Sequence, residues 1–294
     1  MRVTRRRYTL ALPHGRTLEL GRRTLVMGIL NVTPDSFSDG GRHADPHRAI
    51  DAAHAMVEAG ADIIDVGGES TRPGAPPVDA DDERARVLPV VAALIRHLAV
   101  PVSVDTTKSA VAAAAIDAGA SLVNDISGLR FDPGLAGVAR RGGAALILMH
   151  MRGVPADMYR HANYGDVVAE VAAELEWSVA AALDAGVPSN ALVVDPGLGF
   201  AKHAAQSWAV LAHLDHPALR AMDLPMLVGA SRKSFLQAAI GDRPAEERDP
   251  ASHAAAVVAV LAGAHVLRVH DVAGSVQAVR VADMISAAAQ PGDS

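Results

Sequence analysis

Leu192-Val-Val-Asp-Pro-Gly-Leu-Gly-Phe-Ala-Lys202 sets three apolar residues, two of them β-branched, directly before an aspartate and a glycine-rich turn. The run is too short for a helix and does not alternate, so it reads as a strand covered on both faces. The same form recurs along the chain. Apolar runs at 24–30, 62–66, 101–105, 122–125, 145–150, 192–195, 225–229 and 265–270 make eight such units. Between them lie Ala-rich stretches such as 46–59, 81–98, 164–185 and 251–262, long enough for crossover helices, with Gly60, Gly119 and Gly186 as helix stops. Strands of this kind alternating with helices call for a parallel sheet, and eight units predict an α/β fold, a (β/α)8 TIM barrel. An open doubly wound sheet is the alternative. The segment 8–21, with Pro-His-Gly at 13–15, predicts an N-terminal β-hairpin closing the barrel bottom.

A chain of 294 residues without a Pro/Gly/Ser-rich linker is expected to form a single domain over residues 1–294. Half of it is apolar but only 3% is aromatic, so Ala, Val, Leu and Ile must fill the core. The net charge of −6 argues against a nucleic-acid partner. Arg5-Arg6-Arg7 reads as a solvated edge of the hairpin, since no apolar signal core follows it. With no cysteine, disulfides, thiolate catalysis and thiolate metal sites are all excluded. The longest apolar stretch, 254–264, falls well short of the roughly 20 residues that span a bilayer. A soluble, cytoplasmic protein with no membrane partner is the expectation.

Polar chemistry collects just after the strands. Only three lysines stand among the 27 basic residues, and Lys108, Lys202 and Lys233 each follow an apolar run. A compact ammonium is preferred to a guanidinium where a fork would not fit, so these lysines mark candidate sites. Three of the four phenylalanines, Phe37, Phe200 and Phe235, lie in the same motifs or in Asn31-Val-Thr-Pro-Asp-Ser-Phe37. Successive strands lead into Asn31, Gly67 to Gly74, Asp105, Asn124-Asp125, Asp195, Ser231 to Ser234 and Arg268 to Asp271. In a barrel all of them meet at one mouth, where unpartnered buried polar groups would be expensive. Taken singly, Asp105 could cap a helix, His270 could be a core histidine and Lys233 a surface cation.

The segments Asn31 to Gly41, Asp65-Val-Gly-Gly-Glu-Ser-Thr-Arg-Pro-Gly74, Asp195-Pro-Gly-Leu-Gly-Phe200, Ser231-Arg-Lys-Ser-Phe235 and Arg268-Val-His-Asp271 resemble the dihydropteroate synthase family of folate biosynthesis in order and spacing. The resemblance implies a transferase that condenses a dihydropterin-6-ylmethyl diphosphate with 4-aminobenzoate, releasing diphosphate. It implies that Asp105, Asn124, Asp195 and Lys233 bind the pterin. Diphosphate would meet Asn31, Thr71, Arg72, Arg268 and His270, with Mg²⁺ as cofactor held at Asn31. Aminobenzoate would lie among Phe37, Thr71, Pro73, Phe200, Lys233 and Ser234, its carboxylate reaching the start of the helix after Ser234. Asp39, Lys233, Arg268 and His270 would serve catalysis, Asp39 by stabilising a pterin methylene cation when the loop 33–41 closes. A homodimer through outer helices is also implied. Ala201-Lys202-His203 departs from relatives that carry Gly-Lys and then a hydroxyl residue. The alternatives are a catalytically silent pterin-binding paralogue, and a pterin-binding methyltransferase domain of the same broad group.

The residue types suit that chemistry on their own terms. A pterin edge offers adjacent amide and amino donors beside a carbonyl, which a buried carboxylate and a cation complement. A diphosphate leaving group needs cations and fixed donors. An arylamine nucleophile is neutral at pH 7, so the absence of a paired nucleophile and base is in keeping. No His-Glu-x-x-His array suggests a zinc hydrolase.

Overall fold

The structure is a computed structural model that describes residues 4–33, 46–71 and 74–288. Eight parallel strands form the sheet: β3 (Leu25–Asn31), β4 (Ile63–Gly67), β5 (Val102–Asp105), β6 (Leu122–Asp125), β7 (Ala145–Met149), β8 (Leu192–Asp195), β9 (Leu227–Val228) and β10 (Val266–Val269). Their spatial order is β8-β7-β6-β5-β4-β3-β10-β9. A parallel bridge between Val194 and Met226, with Val194 N–H donating to Pro225 O at 3.0 Å, joins the two edges and closes the ring. The open doubly wound alternative is thereby ruled out.

The seventh barrel strand is shorter than the run 225–229 suggests. Pro225 has no N–H to donate to a ladder, and only Leu227–Val228 pair with β10. The covering helices arise where the Ala-rich stretches lie. They include α1 (Pro46–Glu58), α2 (Ala80–His97), α3 (Ser109–Asp117), α4 (Gly134–Gly142) and α5 (Val167–Asp184). Asp79 and Asp166 cap α2 and α5 with side-chain acceptors. Among the described residues no helix is long and apolar enough to cross a membrane.

Strand residues alternate between the helical shell and the barrel axis, and the axis is filled in tiers. The lower tiers are apolar. Leu25, Met27, Ile63, Leu122, Ala145, Ile147, Val193, Leu227 and Val266 form one cluster with Leu10, Leu12 and Leu20. Those leucines come from the antiparallel hairpin β1 (Tyr8–Ala11) and β2 (Thr17–Leu20), which plugs the bottom as the sequence predicts. Two positions further along β4, β6, β8 and β10 the axis turns polar, with Asp65, Asn124, Asp195 and Arg268, and Ser103 joins them from β5.

Arg5 is not the solvated edge residue expected. Its side chain is 8% exposed and pairs with Asp283, whose carboxylate also takes Thr24 N–H, so it ties the chain's start to the last helix. His265 fastens the hairpin lead from the other side. Its Nδ1 accepts Met226 N–H at 3.1 Å and its Nε2 lies 3.1 Å from Arg6 O, so the hydrogen sits on Nε2 and the ring is neutral. Burial lowers its pKa to about 4.

A histidine with a lowered folded pKa stabilises the fold above its unfolded value and loses that contribution as pH falls toward the folded value. His265 therefore supplies up to about 3 kcal/mol at pH 7 that disappears between pH 6.5 and pH 4. Urea unfolding of the parent and of His265→Asn should show the parent losing more stability over that window, by a margin of this order. Parallel pH curves would refute the assignment.

Candidate active site

Arg268 crosses the barrel axis near the mouth. Its Nε donates to Asp65 Oδ2 and its Nη2 to Asp105 Oδ2, both at 2.6 Å. Asn124 Nδ2 donates to the same oxygen of Asp65 at 3.0 Å. Strands β4, β5, β6 and β10 are thus joined side chain to side chain inside the ring. Asp65 is wholly buried, and its Oδ1 has no protein partner; neither has the buried Ser103 Oγ on the adjoining strand. Buried acceptors left open at a mouth call for a polar ligand or ordered water.

Two further carboxylates share the site. Burial pushes the Asp105 pKa upward, against the pull of Arg268. Asp195 is raised to about 6 by burial, while Gly197 N–H donates to its Oδ1 at 2.8 Å and the nearby cations Lys233, Lys202 and Arg268 pull the other way. Asp105 is not a helix cap, because α3 starts only at Ser109, whose N–H goes to Asp132. Asp125, next to Asn124, faces away from the chemistry. It staples its own turn by accepting from Ser127 and Leu129 N–H groups.

Lys233 stands across the mouth. Burial, reinforced by Arg268, lowers its pKa to about 8, and its Nζ lies 3.8 Å from the centroid of the Phe200 ring. Phe200 is 6% exposed, so its ring is a fixed wall. Phe235, from the same motif as Lys233, packs instead into the core against Trp208. The expected helix after Ser234 is a 3-10 turn, Ser234–Leu236, followed by the four-residue helix Gln237–Ile240. So short an element has little dipole, and Ser234, exposed at its start, can offer only a hydroxyl and a few amides.

His270 adjoins Arg268 on the β10 side. Ser231 Oγ accepts His270 backbone N–H at 3.1 Å and lies 2.9 Å from His270 Nδ1. A Ser231 hydroxyl donating to Nδ1 would leave the ring proton on Nε2. Burial, and then Arg232 and Arg268, lowers the ring's pKa to about 3, so the imidazole is neutral.

Asn31 ends β3 opposite Gly67, where an added Cβ would lie 3.6 Å from Asp105 Oδ2 and 3.8 Å from Asn31 Oδ1. The carboxamide is therefore at the mouth beside Asp105. Among the described residues no group of three or more His, Asp or Glu could hold a metal. Mg²⁺ commonly keeps its waters and takes one or two protein oxygens beside substrate phosphates, a role a single Asn31 oxygen fits. Thr71 is partly exposed on the loop after β4. Phe37, Asp39, Arg72 and Pro73 lie outside the described residues.

Several participants escape a reading of strand ends. Asp65 lies inside its apolar run, one register step below Gly67, and its in-phase alignment with Ser103 on β5 was the available signal. Lys108 is a strut and not a mouth residue. Its Nζ donates to Glu69 and Glu83, both at 2.5 Å, tying the loop after β4 to α2 and to the start of α3. Lys202 is buried behind the mouth.

Residues 27–270 match the family model described as pterin binding enzyme. The dihydropteroate synthase of Synechocystis sp. is 45% identical over 93% of this chain and 94% of that protein. A structure of Xanthomonas albilineans dihydropteroate synthase with 4-aminobenzoic acid superposes with a TM-score of 0.86 at 42% identity, over 96% of this chain and all of that one. Burkholderia cenocepacia dihydropteroate synthase complexed with 7,8-dihydropteroate gives a TM-score of 0.83 at 44% identity, over 96% and 98% of the two chains.

Removing one member of a buried ion network leaves its partners uncompensated. Arg268→Met should therefore destabilise the fold by about 3–5 kcal/mol at pH 8. The loss should shrink at pH 5, because the stranded carboxyl of Asp105, already pushed up by burial, can then take up a proton. Denaturant unfolding at the two pH values decides it. An equal loss at both would mean that Arg268 contributes packing and not charge.

Proposed function

This chain belongs to the pterin-binding enzyme family, and from that premise we propose that it is a transferase condensing (7,8-dihydropterin-6-yl)methyl diphosphate with 4-aminobenzoate to 7,8-dihydropteroate and diphosphate. The observation that carries the reading is the set Asp105, Asn124, Asp195 and Lys233 at one mouth, with acceptors and a cation in complementary places. Asp195 takes the amide and amino donors of the pterin, Lys233 faces its carbonyl, and Asp105 and Asn124 meet the remaining ring nitrogens. Asp65 lies beneath, with its open oxygen.

Arg268 and His270 receive diphosphate, with Asn31, Thr71 and Arg72. Asn31 would hold Mg²⁺, which would supply charge neutralisation to the leaving diphosphate. The carbon–oxygen bond breaks with its electron pair on diphosphate, leaving a methylene cation delocalised into the pterin ring. The resemblance gives Asp39 the role of stabilising that cation. The aminobenzoate nitrogen then forms the new carbon–nitrogen bond with its lone pair and releases a proton to solvent. No strong general base is required, because the arylamine nucleophile is neutral at pH 7. Phe200 walls the aminobenzoate ring, with Phe37 and Pro73 as the resemblance implies, while Ser234 meets its carboxylate and Thr71 closes the second side.

Val258, Val281, Met284 and Ile285 are exposed on the helices Asp249–Leu261 and Val272–Ala288, which pack on each other. Apolar side chains grouped on outer helices support a homodimer through that face.

Incubating both substrates with Mg²⁺ should yield dihydropteroate. A silent paralogue would bind pterin without product, and a methyltransferase domain would show no aminobenzoate dependence. Asp195→Asn should weaken binding of a pterin ligand by about 2–4 kcal/mol, because an acceptor is exchanged for a partial donor in a buried site. Calorimetry reads this directly, and an unaltered affinity would remove Asp195 from the pterin site.

A further inference from the structure

Lys202 is a fully buried lysine whose ammonium meets no side chain assigned to substrate. Its side chain is 1% exposed, among the largest wholly buried in the described residues. An ammonium has three N–H donors, and three acceptors surround this one: His150 Nδ1 at 2.8 Å, Gly197 O at 3.0 Å and Phe200 O at 3.1 Å. A neutral amine could match them only by accepting an Nδ1–H from His150, which would turn the bare Nε2 toward the Glu174 carboxylate, so the ammonium is the form this site favours. With Nδ1 accepting, His150 carries its proton on Nε2, 3.3 Å from Glu174 Oε2 on α5, and Glu174 is in turn paired with Arg130 and Arg152.

The loop that this ammonium gathers is not one that would fold so unaided. Gly197, Gly199 and Ala201 all adopt positive φ, at 67°, 77° and 46°. A Cβ on Gly197 would come within 2.1 Å of His150 O, so the loop is drawn hard against the end of β7. Both ends of the gathered segment face the mouth. Gly197, whose carbonyl Lys202 holds, donates its N–H to Asp195 Oδ1. Phe200, whose carbonyl Lys202 also holds, presents its ring to Lys233.

We propose that Lys202 is the positioning residue of both substrate subsites: its ammonium is the fixed centre on which residues 196–201 fold, aiming Asp195 at the pterin and the Phe200 ring at the arylamine. The proposal rests on the function given above. Without the ammonium, two carbonyl oxygens and an imidazole lone pair would converge on an empty point and repel one another. The loop would relax outward, Asp195 would lose its N–H donor, and the Phe200 ring would leave Lys233. Arginine cannot substitute, because a planar fork does not fit three acceptors gathered around one nitrogen.

Lys202→Met removes the donors at nearly constant volume. In the folded variant the dissociation constant of a pterin ligand should rise at least tenfold, and the KM for aminobenzoate at least fivefold. A merely structural lysine would lower the melting temperature and the active fraction while leaving both constants of the folded fraction at parent values, and that result would overturn the proposal. The parent, titrated alongside, separates the two readings: a parent that fails to bind pterin refutes the proposed function, whereas a folded variant that binds like the parent refutes only the role of Lys202. Should the variant not fold, the unmodified protein decides. With three lysines, Nζ-labelled protein gives three side-chain signals. Saturating pterin should slow hydrogen exchange of the Lys202 ammonium at least tenfold at pH 6, and unchanged exchange would contradict the coupling.

Discussion

The contact on which the upper half of the barrel depends is Arg268 held between Asp65 and Asp105. A barrel of this size needs side chains from every strand to fill its axis, and apolar ones would do so at least expense. Here they fill only the lower tiers. Three carboxylates, Asp65, Asp105 and Asp195, converge above them, and such a group survives burial only if countercharge and donors are built in. Arg268 answers two of the three with one planar fork, and Lys233 with the Gly197 amide answers the third. The penalty is part of the function, because carboxylates that are incompletely satisfied by the protein keep acceptor capacity for a ligand.

Division of labour between arginine and lysine follows from the same constraint. Arg268 must reach two carboxylates on different strands, which a fork can do and a point charge cannot. Each lysine instead lies where acceptors close around one nitrogen or where an ammonium meets a ring. Lys108 sits between two glutamates, Lys202 among two carbonyls and an imidazole, and Lys233 over Phe200. Around these fixed points Glu69 after β4, and Gly197 and Phe200 after β8, are held in place.

The barrel was legible because its signal is repetitive: eight apolar runs separated by Ala-rich stretches leave little freedom of topology, and the hairpin announced itself by Pro13 and Gly15 between alternating strands. The mouth was legible in outline, since Asn31, Asp105, Asn124, Asp195, Lys233, Arg268 and His270 each follow or end an apolar run. What could not be read was partnership. Asp65 looks like one polar residue inside a strand until the closed ring sets Arg268 against it. Nothing in Thr106-Thr107-Lys108 says that its lysine turns outward to two glutamates. The helix expected after Ser234 dwindles to a single turn, as sequence carries the start of such an element better than its length. Pro225 shortens its strand through a missing N–H, a local effect that the apolar pattern conceals.

The central claim is that the mouth holds a charge network strained by burial, which a pterin completes. Asp195 is raised to about 6 and Lys233 lowered to about 8 in the free protein. Bound pterin donors would pull Asp195 back to its carboxylate, and the pterin carbonyl would favour the Lys233 ammonium. Calorimetric titration of a pterin ligand in buffers of differing ionisation enthalpy measures that proton traffic. The account predicts proton release near pH 6 and proton uptake near pH 8.5. A binding enthalpy independent of buffer at both pH values would contradict it.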